Sequence, residues 1–401
     1  MIQQVDIVIV GGGMVGLALA ASLKNSDLEI AIIEGKVPEA SLAALPDVRV
    51  SALNRASQRF LDCIGAWQGI CHRRAAAYQH MLVWDKDGFG KIDFSANQLG
   101  EPDLGHIVEN RVIQLALWEQ VEQQENVTLI APARCQSMAM GSRESFITLE
   151  DGRQMTAKLV VGADGANSWV RQQQQIPLTS WDYGHHALVA NIRTAEPHDA
   201  TARQIFCPQG PLAFLPLDEP NLCSIVWSLP PNEAEALMAM DPTAFNQSLT
   251  VAFDNQLGLC ELEGERFSVP LKMRYARDFV RGRCVLIGDA AHTIHPLAGQ
   301  GVNLGLMDAA ALAETLQAIL ADGGDIGDEK ALRQFERWRK SDAAHMIAAM
   351  EGFKQLFAGS HPVKRFTRNL GIVAAATLPG VKSTLMKKAL GRHALVPQMA
   401  Q

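Results

Sequence analysis

The sequence predicts an α/β fold: a discontinuous α/β domain, an inserted antiparallel sheet and a helical C-terminal region. Three observations lead to this prediction. The chain opens on a buried strand, a glycine turn and an Ala/Leu helix; two later strands each end in an acid, Asp164 and Asp289; and the segments between these motifs alternate short apolar runs with turns. At 401 residues the chain is long enough for more than one hydrophobic core.

The composition is that of a globular protein and disfavours several other classes. Hydrophobic residues make up 48% of the chain and charged residues 20%, and the formal net charge of -7 argues against general binding to nucleic acid. The seven cysteines contain no C-x-x-C pair, which disfavours a disulfide framework or a zinc knuckle. The N-terminus has neither a basic region nor a cleavage site after its apolar run, so we expect a cytoplasmic protein.

The first element is the stretch VDIVIVGGGMVGLALAASL at residues 5–23. Gly11, Gly13 and Gly16 match G-x-G-x-x-G: the first makes a tight turn, the second lets a pyrophosphate approach the backbone, and the third lets the helix pack closely on the sheet. The helix N-terminus then offers free N–H groups and the positive end of its dipole to a phosphate. This order of elements is typical of a Rossmann-like dinucleotide-binding domain.

The second strand, LEIAIIE at residues 28–34, ends in an acid. Glu34 follows Gly11 by 23 residues, near the offset of roughly 20 at which an acid meets a ribose hydroxyl in this type of domain. An acid rather than an arginine favours a ribose without a 2′-phosphate. The pattern therefore indicates FAD or NAD over NADP, and it does not choose between those two.

Two later strands deliver acids at their carboxyl ends, where α/β sheets bind their ligands. In LVVGADGANSWVR (159–171), Asp164 and Gly165 make the turn, and Ser168 is placed to cap the segment after it. In RCVLIGD (283–289) the acid is Asp289. It lies at the start of GDAAHTIHPLAGQGVNLG (288–305), a glycine-rich loop that runs into a helix with an Ala/Leu face.

The spacing of Asp289, His292 and His295 raises the alternative of a metal site in this loop. On a helix, the third residue has rotated off the face that the first two share, and Pro296 disfavours a helical conformation at His295. No H-E-x-x-H or H-x-D pair elsewhere completes an iron triad. We therefore predict no metal ion here.

Taken together, the glycine fingerprint, D-G at 164–165 and G-D at 288–289 resemble the flavin-dependent aromatic hydroxylases of the para-hydroxybenzoate hydroxylase type. The resemblance implies a Rossmann-like FAD-binding domain with FAD as the cofactor. It implies that the glycine fingerprint and Glu34 hold the ADP part of FAD. It also implies that Asp164 lies near the pyrophosphate and is linked with NAD(P)H use, and that Asp289 binds the flavin-side ribose.

The resemblance implies further FAD contacts beyond these acids. Arg49 would lie near the FAD, with a surface salt bridge as the alternative role. The glycine-rich loop would bring backbone N–H groups onto the pyrimidine edge of the flavin, and the helix after it would contribute its positive end. The residues predicted for this cradle, including a proline that stiffens its entry, are Pro296, Gly299, Gln300, Gly301 and Asn303.

Other segments narrow the resemblance to the ubiquinone-biosynthesis branch, whose members hydroxylate a polyprenylated phenol. RVSALN (49–54) and GHIVEN (105–110) look like this branch. WDKDGFG (84–90), WDYGHHALVA (181–190) and CSIVWSL (223–229) look most like the members that act at ring position 5.

The implied chemistry needs a cofactor, because no amino-acid side chain activates dioxygen. The resemblance implies that reduced FAD carries oxygen as a 4a-hydroperoxide, with electrons from NAD(P)H or from a separate reductase. Tyr183, His186 and His295 are candidate bases, and we assign a catalytic role to none. Two alternatives stay open: an FAD-dependent lipid reductase or dehydrogenase that does not use oxygen, and a non-catalytic subunit of a quinone-biosynthesis complex.

The motif positions require a discontinuous cofactor domain with a substrate domain inserted into it. The predicted boundaries are 1–78, 105–180 and 273–328 for the FAD-binding domain, 79–104 and 181–272 for the substrate domain, and 329–401 for the helical C-terminal region. From residue 354 onward the chain carries eight basic residues and no acid. The stretch 364–392 is too short in its apolar run to span a membrane, so it either contacts an anionic membrane surface or a partner protein of ubiquinone biosynthesis, or packs on its own protein.

Overall fold

The computed structural model describes residues 2–294, 301–357 and 396–401, with isolated positions at 369, 380, 382, 390 and 391. Helices in the described residues are α1 Met14–Ser22, α2 Arg55–Cys63, α3 Trp67–Arg73, α4 Asn110–Glu122, α5 Trp169–Gln173, α6 Pro231–Ala239, α7 Pro242–Ala252, α8 Gly301–Ala321 and α9 Glu329–Phe357. Strands are β1 Ile2–Val10, β2 Ile30–Ile33, β3 Val50–Leu53, β4 Ala76–Tyr78, β5 His80–Asp85, β6 Lys91–Ser95, β7 Gly105–Glu109, β8 Val127–Ile130, β9 Cys135–Met140, β10 Ser145–Leu149, β11 Gln154–Gly162, β12 Leu178–Thr194, β13 Thr201–Cys207, β14 Gly210–Pro216, β15 Leu222–Leu229, β16 Cys260–Ala276, β17 Val280–Arg281, β18 Cys284–Leu286 and β19 His292–Thr293.

The first sheet is built around parallel strands in the order β18-β11-β1-β2-β8. Antiparallel strands extend it, with β17 beside β18, β10 beside β11, and β9 beside β10. Ile7, Val8 and Ile9 of the central strand β1 are fully buried, because both faces of the sheet are covered. This explains why β1 reads as a continuous apolar run rather than as alternating polar and apolar residues.

Helices α1, α4 and α8 cover one face of the first sheet and form the largest hydrophobic core with it. Among the described residues, α8 is the helix that is long and apolar enough to cross a membrane by length and composition. In this structure α8 packs in the core, against α1 on one side and α9 on the other.

The second sheet has the order β19-β16-β12-β15-β14-β13-β5-β6. Its pairs are antiparallel as predicted, except that β13 and β5 are parallel. The exception arises because β5 and β13 come from separate segments, so no hairpin turn fixes their relative direction. Strand β12 of this sheet begins at Leu178, and strand β16 ends at Ala276. The predicted division of the chain into domains stays a prediction.

The two faces of the second sheet have different coverings. On one face Leu188, Ala190 and Ile192 pack against α6 and α7. The opposite face, here called the inner face, packs against the small sheet β3-β7-β4 and meets Ile347 of α9. Near β16 the buried residues of the inner face are Tyr183, Ala187, Leu271 and Met273.

Helix α9 begins the predicted helical C-terminal region at Glu329. Most of the basic stretch 364–392 lies outside the described residues, but two of its described positions contact the rest of the protein. Asn369 is buried, and its Nδ2 donates to Asp85 Oδ2 at 2.9 Å. Leu390 is buried, and its carbonyl accepts the N–H of Ala56 at 3.3 Å. At these two positions the stretch packs on its own protein.

Candidate functional site

The carboxyl ends of four adjacent parallel strands meet at one edge of the first sheet. Residues directly opposite each other in the register include Val10 with Gly162 and with Ile33, and Gly162 with Leu286, so the strands end at nearly the same level. The predicted site residues just beyond these ends, taken in order across β18, β11, β1 and β2, are Asp289, Asp164, Gly11 and Glu34. The fold therefore brings together residues that are up to 278 positions apart in the sequence.

The glycine turn after β1 has the close contacts that its motif predicts. Gly11 has a φ of +112°, and a Cβ on it would lie 2.4 Å from the carbonyl oxygen of Ala163. A Cβ on Gly16 would lie 2.1 Å from the carbonyl oxygen of Gly11. At Gly13, by contrast, a Cβ would meet no atom within 4 Å. The first and third glycines are required by the protein itself, whereas the space at Gly13 is open to a ligand.

The N-terminus of α1 has no side-chain cap. Gly13 is the capping residue, and no acid occurs in the first turn. The N–H of Leu17 begins the helical ladder by donating to the carbonyl of Gly13 at 3.0 Å. The preceding N–H groups and the helix dipole thus face the open space at Gly13, which suits the oxygens of a pyrophosphate.

Glu34 lies directly against the glycine turn. Its Oε2 accepts the N–H of Gly12 at 2.6 Å, and its Oε1 accepts the N–H of Lys36 at 2.9 Å. Each carboxylate oxygen keeps a second lone pair that is able to accept a ribose hydroxyl. Gln114 of α4, which the sequence motifs did not reveal, donates from Nε2 to the carbonyl of Gly12 at 2.8 Å and so fixes the turn from the other side.

Asp164 has one paired and one unpaired carboxylate oxygen. Oδ2 accepts the N–H of Val170 at 3.1 Å, while Oδ1 is buried and has no hydrogen-bond partner among the described residues. Ser168 caps α5 as predicted, its Oγ accepting the N–H of Arg171 at 3.0 Å. A buried carboxylate oxygen without a donor is unfavourable, so Asp164 fits a site where a ligand supplies one. With the open Gly13 and the uncapped α1, the residues present fit FAD.

Asp289 follows β18 in a short 3-10 turn, Gly288–Ala290. Its side chain reaches solvent, yet protein atoms crowd its surroundings. This desolvation raises the pKa of Asp289, although nearby His292 and Arg274 act in the opposite direction. The carboxylate therefore lies at a partly enclosed part of the surface, which suits a group that lines a binding groove.

Strand β19 connects the Asp289 turn to the second sheet. Its two residues pair with β16, where Tyr275 lies opposite His292 and Arg274 lies opposite Thr293. Since Leu271 and Met273 belong to the same strand β16, the inner face begins next to the Asp289 turn. The cofactor edge of the first sheet and the inner face of the second are thus adjacent.

His292, the second residue of the metal alternative, is engaged elsewhere. It is buried, and its Nε2 lies 2.6 Å from Asp308 Oδ2 of α8, not on a point shared with Asp289. His295 lies outside the described residues. Within the described parts of the chain, no group of three His, Cys, Asp or Glu side chains is arranged to hold a metal ion.

The remaining predicted cofactor residues have different positions. Arg49 is exposed, and its guanidinium has no ion-pair partner in the described part of the chain, so the salt-bridge alternative finds no support there. Asn303 uses its side chain to hold β3: Nδ2 donates to the carbonyl of Ala52 at 2.8 Å, and Oδ1 accepts the N–H of Asn54 at 3.1 Å. Gly301 is the first residue of α8. The other cradle residues, Pro296, Gly299 and Gln300, lie outside the described residues.

Two candidate bases lie on β12 with opposite surroundings. Tyr183 is buried in the cluster of the inner face. His186 is two residues before Leu188 on the same strand, so it lies on the face opposite to that of Tyr183. Its Nδ1 is 3.1 Å from Ser268 Oγ. Tyr183 is therefore the one of these two that belongs to the face next to the cofactor edge.

A polar cavity of about 410 Å³ lies between α5 and the strands β12 and β16. Arg171, Lys272 and Arg274 line it, and Asp182 is the one acid among its lining residues. Arg171 is buried and donates from Nη1 to the carbonyl of Ala290 at 2.8 Å, which links the cavity to the Asp289 turn. The cavity is thus positively charged and next to the cofactor edge.

Known proteins resemble this chain over nearly its whole length. The family model of an FAD binding domain matches residues 4–349. The 3-demethoxyubiquinol 3-hydroxylase of Escherichia coli is 37% identical over 392 residues, which are 97% of this chain and 99% of the relative. The ubiquinone hydroxylase UbiL of Rhodospirillum rubrum is 35% identical over 98% of this chain and 91% of its own length.

Solved structures share the architecture. The p-nitrophenol 4-monooxygenase of Pseudomonas putida superposes with a TM-score of 0.78 at 20% identity, covering 97% of this chain and 99% of that protein. At this identity the likeness speaks for the fold, and the family match and the closer relatives speak for the cofactor. The chain therefore belongs to the FAD binding domain family and is a flavin-dependent monooxygenase, the class that its three motifs resemble.

Proposed function

We propose that this protein hydroxylates the ring of a polyprenylated phenol in ubiquinone biosynthesis, with FAD held at the edge of the first sheet. One observation carries the proposal: β19 joins the Asp289 turn to β16, so the predicted flavin-side residue lies next to an apolar sheet face. A phenol ring on that face would lie beside the cofactor.

The protein's residues would bind the cofactor at one edge and shield the reacting ring at the other. The α1 N–H groups would bind the pyrophosphate, and Glu34 and Asp289 would accept hydroxyls of the two sugar parts. Reduced FAD supplies the activated oxygen, which side chains cannot provide. Leu271 and Met273 would pack against the substrate and exclude water, which limits loss of that oxygen to solvent.

Two positions of the substrate ring are candidates for hydroxylation. Three segments of the sequence look most like hydroxylases that act at position 5 of 2-octaprenylphenol. The E. coli relative is named as a 3-hydroxylase of 3-demethoxyubiquinol. We retain position 5 as the proposal and position 3 of a demethoxyubiquinol as the second candidate.

Deleting the gene in its host and identifying the accumulating intermediate by mass spectrometry would separate these candidates. A prenylated phenol lacking its position-5 hydroxyl supports the first, and a demethoxyubiquinone supports the second. Unchanged ubiquinone content would refute both.

Assays on the purified protein test hydroxylation against the two alternatives from the sequence, a lipid reductase or dehydrogenase and a non-catalytic subunit. When NAD(P)H or a separate reductase supplies the electrons, a hydroxylase takes up oxygen in proportion to hydroxylated product on addition of 2-octaprenylphenol. Reduction of a lipid without oxygen uptake, or a colourless protein that takes up no FAD, would contradict the hydroxylase function.

We further propose NAD(P)H as the direct electron donor, with a separate reductase as the alternative. The cavity lined by Arg171, Lys272 and Arg274 supports this, because its positive charge suits a dinucleotide pyrophosphate beside the cofactor edge. Lys272→Ala should raise the KM for NAD(P)H in flavin reduction while FAD binding stays unchanged. Arg153→Ala, at an exposed residue paired with Asp151, is the control. Wild-type protein that NAD(P)H fails to reduce would favour the separate reductase.

We also propose a cytoplasmic protein that contacts the membrane or other ubiquinone-biosynthesis proteins through its basic C-terminal stretch. Because Asn369 and Leu390 hold this stretch to the protein, substitution tests the proposal better than deletion. Replacing Lys364, Lys387 and Lys388 by Gln should weaken sedimentation with anionic vesicles. Equal sedimentation of variant and wild type would refute the membrane contact.

A further inference from the structure

A charged cluster is buried behind the proposed flavin-side turn. Asp308 of α8 lies between two partners: its Oδ2 is 2.6 Å from His292 Nε2, and its Oδ1 accepts Arg339 Nε of α9 at 2.7 Å. Arg339 also donates from Nη1 to Asp342 Oδ2 at 2.6 Å. The side chains of Asp308 and Arg339 are essentially inaccessible to solvent. We call these four residues the buried charge cluster.

The cluster holds the turn that carries Asp289. Asp308 Oδ2 accepts the backbone N–H of Gly288 at 2.9 Å, immediately before Asp289. Gly288 has a φ of +60°, a left-handed conformation that needs support from its surroundings. One carboxylate oxygen thus fixes both the start of the turn, at Gly288, and its exit into β19, at His292.

The packing around Gly288 leaves the turn little freedom to move. A Cβ on Gly305 of α8 would lie 2.8 Å from Val15 Cγ2 of α1 and 3.3 Å from Gly288 Cα. Helix α8, helix α1 and the Gly288 turn therefore touch one another. A shift of α8 would move the glycine fingerprint relative to Asp289.

Stability alone does not explain why charged residues occupy this buried cluster. Buried ion pairs pay a large desolvation cost, and apolar replacements of similar volume are often neutral or stabilising. Burial alone would raise the pKa of Asp308, but His292 and Arg339 hold it below its ordinary value, so the carboxylate is ionised. The ionised carboxylate accepts a strong, directional hydrogen bond from the Gly288 N–H, whereas an apolar side chain offers no acceptor.

We propose that Asp308 is a positioning residue for FAD: through Gly288 and His292 it sets the place of Asp289, and Arg339 ties that placement to helix α9. This rests on the proposed role of Asp289 as a ligand of FAD. FAD affinity then depends on a helix outside the predicted FAD-binding domain.

Glu336 offers a matched control in the same helix. It is buried one turn before Arg339, and its Oε1 accepts the backbone N–H of Phe279 at 2.8 Å. Glu336 lies 3.0 Å from Lys340 Nζ and has no contact with Gly288. Replacing it removes a buried acid that anchors α9 without removing a hydrogen bond to Gly288 or His292.

The test is the dissociation constant of FAD, measured by flavin fluorescence on apoprotein below its melting temperature, together with Tm. Asp308→Asn should raise Kd about tenfold or more, because the amide accepts less strongly from Gly288 and leaves Arg339 with Asp342 as its remaining ion-pair partner. Asp289→Ala should also raise Kd. Glu336→Gln should lower Tm and leave Kd within about twofold of wild type.

Arg339→Lys covers the case in which Asp308→Asn fails to fold, since it keeps the positive charge. It should raise Kd by less than Asp308→Asn, with faster hydrogen exchange in residues 284–293. The proposal fails if Arg339→Lys or Asp308→Asn leaves Kd unchanged, or if Glu336→Gln raises Kd as much at equal loss of Tm. It also fails if Asp308→Asn weakens FAD while Asp289→Ala does not. Because the readout is FAD binding, these results do not depend on which substrate is hydroxylated.

Discussion

Replacing Asp289 by Asn should weaken FAD binding and, at the same time, stabilise the protein without FAD. The side chains of Asp and Asn have nearly the same shape, so the substitution chiefly removes the negative charge. In the folded protein the pKa of Asp289 is raised, chiefly by desolvation. An acid with a raised folded-state pKa destabilises the fold as the pH rises above its ordinary value, so at neutral pH the ionised carboxylate is a cost that Asn removes.

The expected loss of affinity follows from the kind of hydrogen bond that changes. A hydrogen bond to a charged acceptor contributes about 1.5–3 kcal/mol and a neutral one about 0.5–1.5 kcal/mol. Losing the charge should therefore cost about 1–2 kcal/mol of binding, which raises the Kd for FAD roughly 5- to 30-fold. The FAD-induced rise in the free energy of unfolding should shrink by a similar amount.

Fluorescence titration of apoprotein with FAD and thermal melts with and without FAD measure both effects. Asp278→Asn is the control, since Asp278 is partly exposed in the loop before β17 and its nearest charged partner, Lys340 Nζ, is 4.0 Å away. The variant at Asp289 should melt higher than wild type without FAD and gain less from FAD. An unchanged Kd, or a lower Tm without FAD, would refute the assignment of Asp289 or the sign of its electrostatic cost.

Four further substitutions test the site. Gly13→Ala should keep the free energy of unfolding of the apoprotein within about 1 kcal/mol of wild type. It should weaken FAD binding at least about tenfold, because the new Cβ enters the open space. Gly16→Ala should lower the apoprotein Tm, since its Cβ would meet the carbonyl of Gly11. Glu34→Gln should raise the Kd for FAD about tenfold, measured by the same titration, and equal affinity would contradict its ribose contact. For Asp308, whose pKa is lowered in the folded state, ionisation stabilises the fold above its ordinary pKa, and this contribution is lost as the pH falls through the folded-state value. The stability gap between wild type and Asp308→Asn in urea unfolding should therefore be larger at about pH 7 than at about pH 3; a constant gap would contradict the ionised state.

The parallel core and its acids could be predicted because each motif is local. A short buried strand ends at or just before an acid at Glu34, Asp164 and Asp289. Parallel strands end at the same edge, so three local patterns were enough to predict a common site. The unequal roles of Gly13 and Gly16 also follow from the motif, and the close contacts agree with them.

The contacts that support the site could not be predicted, because they join distant segments. Arg339 meets Asp308 across 31 residues, and Asn303 meets β3 across about 250. The parallel pairing of β5 with β13 likewise has no local signal. One signal was present at Asp308, an acid within the apolar Ala/Leu face of α8, since a charge in a buried face needs a partner.

The arrangement of charge at the cofactor edge follows from the chemistry of a dinucleotide. FAD carries an anionic pyrophosphate between two hydroxyl-bearing parts, and carboxylates at this edge would repel the phosphates if they faced them. In the proposed arrangement Glu34 and Asp289 lie on either side, where they would accept hydroxyls, and the α1 N-terminus between them offers N–H groups. Asp164 also lies between them, and one of its carboxylate oxygens accepts the N–H of Val170. A lysine or arginine at the glycine turn would bind phosphate more strongly but would pair with Glu34 or Asp164 in the apoprotein. Backbone N–H groups carry no net charge, so they leave these carboxylates available to accept hydrogen bonds from the cofactor.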